Sequence, residues 1–193
     1  HIKWQHIMIR LEKIFQKTFQ AHYDLPSIPS LPGLDPHQRR GIEWILSRKR
    51  SYLAHAPGAG KTAEAILAAS LSAGTRYLFI VPPSLVKNWE REIWKFTGWL
   101  ERFPTIGIVG RSEGQDDVAW RSEYIIVPDS MLAKDWVYKK LLEIAWDFIA
   151  VDEASRFKES TAARSIAFYG GAVIKKKKDD KKISTIRYAG LFQ

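Results

Sequence analysis

Nine residues, Ala54 to Thr62 (AHAPGAGKT), constrain this chain more than any others. They follow Ser51-Tyr52-Leu53, a short run that reads as a strand, and precede Ala63 to Ser72 (AEAILAASLS), which reads as a helix. A strand, a glycine-rich turn and a helix start form an anion cradle. Glycines let the backbone curl until successive N–H groups face one anion. The first turn of the helix adds free N–H groups and the positive end of its dipole. Lys61 can then reach the β- and γ-phosphates of a nucleotide, and the Thr62 hydroxyl can ligate Mg²⁺. Pro57, Gly58, Ala59, Gly60, Lys61 and Thr62 are therefore the candidate phosphate-binding residues. The strict form of the pattern has glycine where this chain has His55, so the match is to a relaxed form.

Upstream, Ile7, Leu11, Ile14, Phe15 and Phe19 recur at helical spacing, so residues 1–23 read as an amphipathic helix. DLPSIPSLPG, residues 24–33, reads as a linker or an extended crossing segment. A boundary follows, with residues 1–33 as helix and linker and residues 34–193 as the main domain. Asp35 is a plausible N-cap with Pro36 in the first helical position, and Ile42, Ile45 and Leu46 form the stripe to be buried. Gln38 on this helix offers both a donor and an acceptor, as the edge of adenine requires.

Downstream, strands and helices alternate. Arg76 to Val81 (RYLFIV) reads as a buried strand, and Ser84 caps a helix running to Phe96 with Leu85, Trp89, Ile93 and Phe96 on one side. Thr105 to Val109 is a strand, Gly110 to Asp117 a polar loop, and Glu123 to Val127 a strand. A short helix opens at Asp129 or Ser130, Val137 to Ile144 continues helically, and Trp146 to Val151 is a strand. Thr161 to Tyr169 looks helical and ends at Gly170-Gly171; the lysine-rich run from Lys175 reads as a solvated loop, and Ile183 to Tyr188 as one more strand. Such alternation implies an α/β domain, a mainly parallel sheet with helices on both faces. Ligands of such sheets bind at the carboxyl ends of the strands.

The strand ending at Val151 runs into Asp152-Glu153. Asp152 there can hold Mg²⁺ beside Thr62. Glu153 can orient or deprotonate the water that attacks a γ-phosphate. Two adjacent carboxylates at a strand end would repel one another without a cation.

The chain has 193 residues, 46% of them apolar, enough for one good core. No run approaches the ~18 apolar residues of a membrane span, and the start carries no signal-peptide pattern. It begins at His1, so it reads as a piece or a processed product. Cysteine is absent, in keeping with an intracellular protein. A net charge of +9 favours a polyanionic partner, nucleic acid first and an anionic membrane surface second.

Taken together, these motifs resemble the first RecA-like domain of helicase superfamily two, in particular the Swi/Snf-type translocases on double-stranded DNA. HQRRGIEWIL is similar to the family's glutamine-containing adenine motif, PGAGKT to motif I and IVPPSLVKNWEREIWKF to motif Ia. IIVPDSMLAKD is similar to motif Ib and VDEASRFKES to motif II. The spacing from Pro83 to Trp89 and the Arg156-Phe157-Lys158 run point to the Swi/Snf branch. The resemblance implies ATP and Mg²⁺ as cofactors, with Gln38 on adenine, Lys61 and Thr62 on phosphate and metal, Asp152 on the metal and Glu153 as catalytic carboxylate. It implies that Ser84, Lys87 and Ser130 face a nucleic-acid backbone, where a helix N-terminus with a hydroxyl makes a sensible phosphate contact. It also implies a second RecA-like domain that supplies arginines across a cleft, so this chain alone is expected to hydrolyse ATP poorly. Departures are His55 where the branch has an acidic residue, Ala59 where it has leucine, and Ser155 where many relatives have histidine. A Thr-Gly-Thr-Pro motif is also missing after residue 160. The alternatives are a non-catalytic nucleic-acid-binding module, an RNA helicase domain of the same fold, or a P-loop ATPase acting on protein partners.

Overall fold

A computed structural model describes residues 28–31, 33–110 and 117–157, and the backbone of 171–176 and 183–188. The expected helices at 1–23 and 161–169 lie outside the described residues.

Asp35 caps α1 (Pro36–Leu46) through a capping box in which Gln38 Oε1 accepts the Asp35 backbone N–H at 3.1 Å. Pro36 sits at the helix start, where its missing N–H costs nothing. The chain then passes through the glycine-rich loop into α2 (Lys61–Leu71). β1 (Tyr77–Val81) follows, then a 3₁₀ turn at Pro83–Leu85 and α3 (Val86–Gly98). The remaining elements of the main unit are β2 (Ile106–Ile108), α4 (Asp117–Arg121), β3 (Tyr124–Pro128), α5 (Asp135–Glu143) and β4 (Phe148–Val151). Separately, β5 (Gly171–Lys176) and β6 (Ile183–Tyr188) pair as an antiparallel hairpin.

The four strands form one parallel sheet in the order β2-β3-β1-β4. Alternation along β1 divides the core, because successive side chains leave opposite faces of a strand. Tyr77, Phe79 and Val81 join Tyr124 and Ile126 beneath α1, α2 and α3. Leu78 and Ile80 join Ile125 and Val127 beneath α4 and α5. Every residue of β1 is buried, as a strand covered on both faces should be. The sheet with helices on both faces is thus the expected α/β architecture, that of a RecA-like nucleotide-binding core.

Four local expectations change. Ser51 to Leu53 takes no regular secondary structure and pairs with no strand among the described residues; β4 is the last strand on that side, and both segments line one cavity. Ser84 lies inside the 3₁₀ turn and does not cap α3, whose preceding residue is Leu85. The polar stretch after β2 gives way to a helix at Asp117. Lys175 and Lys176 belong to β5, where they pair with Ser184 and Ile183, and not to a loop. Of the proline-rich stretch, Ile28 is buried in the core and its carbonyl accepts from Arg39 at 2.6 Å.

Candidate nucleotide and nucleic-acid site

The glycine-rich loop is shaped by two residues of left-handed backbone, Gly58 at φ +80° and Gly60 at φ +83°. The left-handed backbone disfavours a side chain at Gly60, and a Cβ there would lie 2.1 Å from Gln38 Nε2 and displace that amide. At Gly58 a Cβ would meet nothing within 4 Å, which leaves open space over the cradle. Lys61 folds back over the loop and donates to the carbonyls of His55 at 2.8 Å and Ala56 at 2.9 Å.

Beneath the loop lies a buried carboxylate. Glu64, on the first turn of α2, is fully buried and accepts from or donates to His55 Nδ1 at 3.2 Å according to the tautomer and protonation. Its Oε2 has no hydrogen-bond partner. Burial raises its pKa, and the neighbouring His55, His37 and Lys61 offset only part of that rise. Gly41 makes the room, since a Cβ there would lie 2.1 Å from Glu64 Oε2. His37 braces the loop from α1, with Nε2 3.1 Å from the Ala59 carbonyl.

The acidic pair sits at the carboxyl end of β4. Asp152 N–H donates to the Ile80 carbonyl of β1 at 2.9 Å, which fixes where the pair emerges. Asp152 Oδ1 accepts the Glu153 N–H at 2.9 Å, and Oδ2 accepts the indole N–H of Trp89 at 2.9 Å. Glu153 is exposed and holds a left-handed backbone, φ 52°, uncommon for a residue with a Cβ. Such strain concentrates at functional sites.

Pro57, Lys61 and Thr62 line the same cavity of about 1120 Å³ as Asp152 and Glu153. Its donors toward a metal are a hydroxyl and carboxylates, hard oxygens that suit Mg²⁺ when phosphates and water complete the shell. Among the described residues no cluster of three or more His, Cys, Asp or Glu side chains could hold a metal ion by itself. Gln38 does not line this cavity; its amide lies behind Gly60, with its carbonyl engaged in the capping box. Ser84 and Lys87 are exposed just beyond β1, and Ser130 is exposed just beyond β3, at the carboxyl ends of neighbouring strands. Lys87 pairs with Glu90 at 2.8 Å.

Sequence reasoning missed the groups that tie these parts together. Arg156 Nε donates to Asp129, which is 1% exposed, at 2.5 Å and so joins the turn after β4 to the turn carrying Ser130. Arg156 was legible only as one of three residues after the acidic motif. The Glu64–His55 pair left a trace in the replacement at His55, but nothing in a local pattern shows that a glutamate nine residues on is buried against it.

A parallel α/β sheet with a lysine-threonine phosphate loop and an acidic strand end facing one cavity defines a P-loop nucleotide-binding domain of RecA-like type. The SNF2-related domain matches residues 37–172, and the chain belongs to that family. It is 30% identical over 149 residues to "Putative ATP-dependent helicase/translocase YwqA" of Bacillus subtilis, covering 72% of this chain and 16% of that protein. To "ISWI chromatin-remodeling complex ATPase ISW2" of Saccharomyces cerevisiae it is 28% identical over 158 residues, covering 72% of this chain and 13% of the relative. To "DNA excision repair protein ERCC-6-like" of Danio rerio the identity is 29% over 141 residues, covering 65% of this chain and 10% of the relative. The matched region is thus a small fraction of each relative's length. A solved structure, "Sulfolobus solfataricus SWI2/SNF2 ATPase core in complex with dsDNA", superposes with a TM-score of 0.62 at 25% identity, covering 75% of this chain and 31% of that one.

Proposed function

We propose that this chain is the ATP-binding first domain of a motor that couples ATP hydrolysis to movement on double-stranded DNA, completed by a second RecA-like domain. The observation that carries the reading is the single cavity shared by Lys61, Thr62, Asp152 and Glu153 at the carboxyl end of a parallel sheet. Mg²⁺, when bound, would neutralise charge on the β- and γ-phosphates. Lys61 leaves the His55 and Ala56 carbonyls for the phosphates, while Thr62 and Asp152 hold the metal. Glu153 orients the attacking water and takes up its proton. Gln38 contacts adenine by swinging its amide from behind Gly60. Ser84, Lys87 and Ser130 meet the duplex backbone from one rim of the sheet, and support for DNA comes from the solved relative bound to double-stranded DNA.

The test is nucleotide hydrolysis, with and without duplex DNA, by the full-length protein that carries this domain and its second RecA-like domain. Duplex DNA should raise turnover, and Lys61→Ala or Glu153→Gln should abolish it, with losses of about 10²-fold or more. Stimulation by RNA alone would transfer the domain to RNA. Failure to bind Mg·ATP, with DNA binding kept, would leave a non-catalytic module.

A further inference from the structure

We infer that Trp89 is a positioning residue for the Asp152 carboxylate, linking the start of α3, which carries Lys87 and follows the turn holding Ser84, to the metal side of the nucleotide cavity. The inference rests on the ATP·Mg²⁺ reading above and assigns a residue that this reading leaves unused. Trp89 is 3% exposed, so its indole N–H must find an acceptor within the protein. It finds Asp152 Oδ2 at 2.9 Å, across 63 residues of sequence. The ring is held for that task by β1, with its centroid 5.2 Å from that of Phe79.

With Oδ1 engaged by the Glu153 N–H and Oδ2 by the indole, each carboxylate oxygen carries one fixed donor. A carboxylate has about four acceptor sites, so the remainder stays open toward the cavity. The two donors select one orientation of the group without neutralising it. Outer donors of this kind orient metal ligands and tune affinity. Trp89 stands in the first turn and a half of α3, two residues after the exposed Lys87 and five after Ser84. A displacement of the start of α3 therefore moves the donor to Asp152 directly, through one rigid ring.

The experiment titrates Mg²⁺ against a fluorescent ATP analogue bound to the wild-type protein, Trp89→Phe and Asp152→Asn, with matched titrations in EDTA. Trp89→Phe keeps an aromatic ring against Phe79 while removing the indole N–H and part of the ring volume, and the EDTA titration reports any general loss from the smaller ring. We expect its apparent Mg²⁺ affinity in the nucleotide complex to fall by about 10-fold or more, in the range seen for outer-shell partners of metal ligands. Nucleotide affinity in EDTA should be unchanged. Equal losses with and without Mg²⁺, or an unaltered Mg²⁺ dependence, would overturn the inference. If Asp152→Asn loses Mg²⁺ dependence and Trp89→Phe keeps it, the role of Trp89 fails alone; if the wild type binds no nucleotide, the ATP reading fails with it. Should Trp89→Phe not fold, the Trp89 indole N–H resonance decides. It must shift in Asp152→Asn, and an unmoved resonance rejects the contact.

Discussion

At the scale of single residues, the phosphate loop depends on conformations that only a few side chains permit. Gly60→Ala would force a Cβ into left-handed backbone and into Gln38, and should destabilise the fold by about 1–2 kcal/mol. Denaturant unfolding measures this, and loss of nucleotide binding should accompany it. Glu64 gives a second expectation. Its pKa lies above the ordinary value of 4.5 because burial outweighs His55, so the folded state holds the proton more tightly than the unfolded chain does. Stability from this group is present below that ordinary value and is lost as pH rises through the raised folded one. Glu64→Gln should therefore gain stability relative to wild type as pH climbs through that window, read from paired unfolding curves. A flat difference would mean that Glu64 ionises as freely in the folded state as in the unfolded chain. The lysine, threonine and two carboxylates were legible because their chemistry comes as contiguous motifs. Trp89, Glu64 and Asp129 were not, because each takes its meaning from a partner that only the fold brings near.

At the scale of elements, the buried strands declared themselves and the edges did not. YLFIV and YIIV are aliphatic or aromatic throughout, as sheet interiors covered on both faces must be, and both form strands that begin one residue later than read, at Tyr77 and Tyr124. Tyr52 and Leu53 carry a similar local signal without forming a strand, because pairing needs a neighbour that the sequence cannot supply locally. β4 shows the same fact from the other side. The Phe148 N–H donates to Arg76, just before β1, and that of Asp152 to Ile80 of β1, so by strand alternation those of Ile149 and Val151 face the cavity. These two amides should exchange with solvent faster than those of Leu78 to Ile80, and comparable protection would require a further neighbour for β4. Phe79 is the inner counterpart. It stacks on Tyr124 with ring planes 4° apart and on Trp89 at 40°, and Phe79→Ala should cost about 3–5 kcal/mol in denaturant unfolding.

At the scale of the whole molecule, the proposed polyanionic partner rests on a net charge of +9 and on exposed hydroxyls at the strand ends. Neutralising even two phosphates implies that duplex affinity falls by about 10-fold between 50 and 200 mM salt. A titration across that range checks it, and salt-independent binding would detach the charge from the function. No described helix is long and apolar enough to cross a membrane.

The resting position of Lys61 has a consequence for selectivity. Its ammonium is already satisfied by two neutral oxygens of the loop, so an incoming anion gains only the difference between those contacts and its own. A lone small ion gains little by that exchange. On the proposed reading, a polyphosphate chain that also reaches the start of α2 would recover far more, and the loop would discriminate by valence before any base is read.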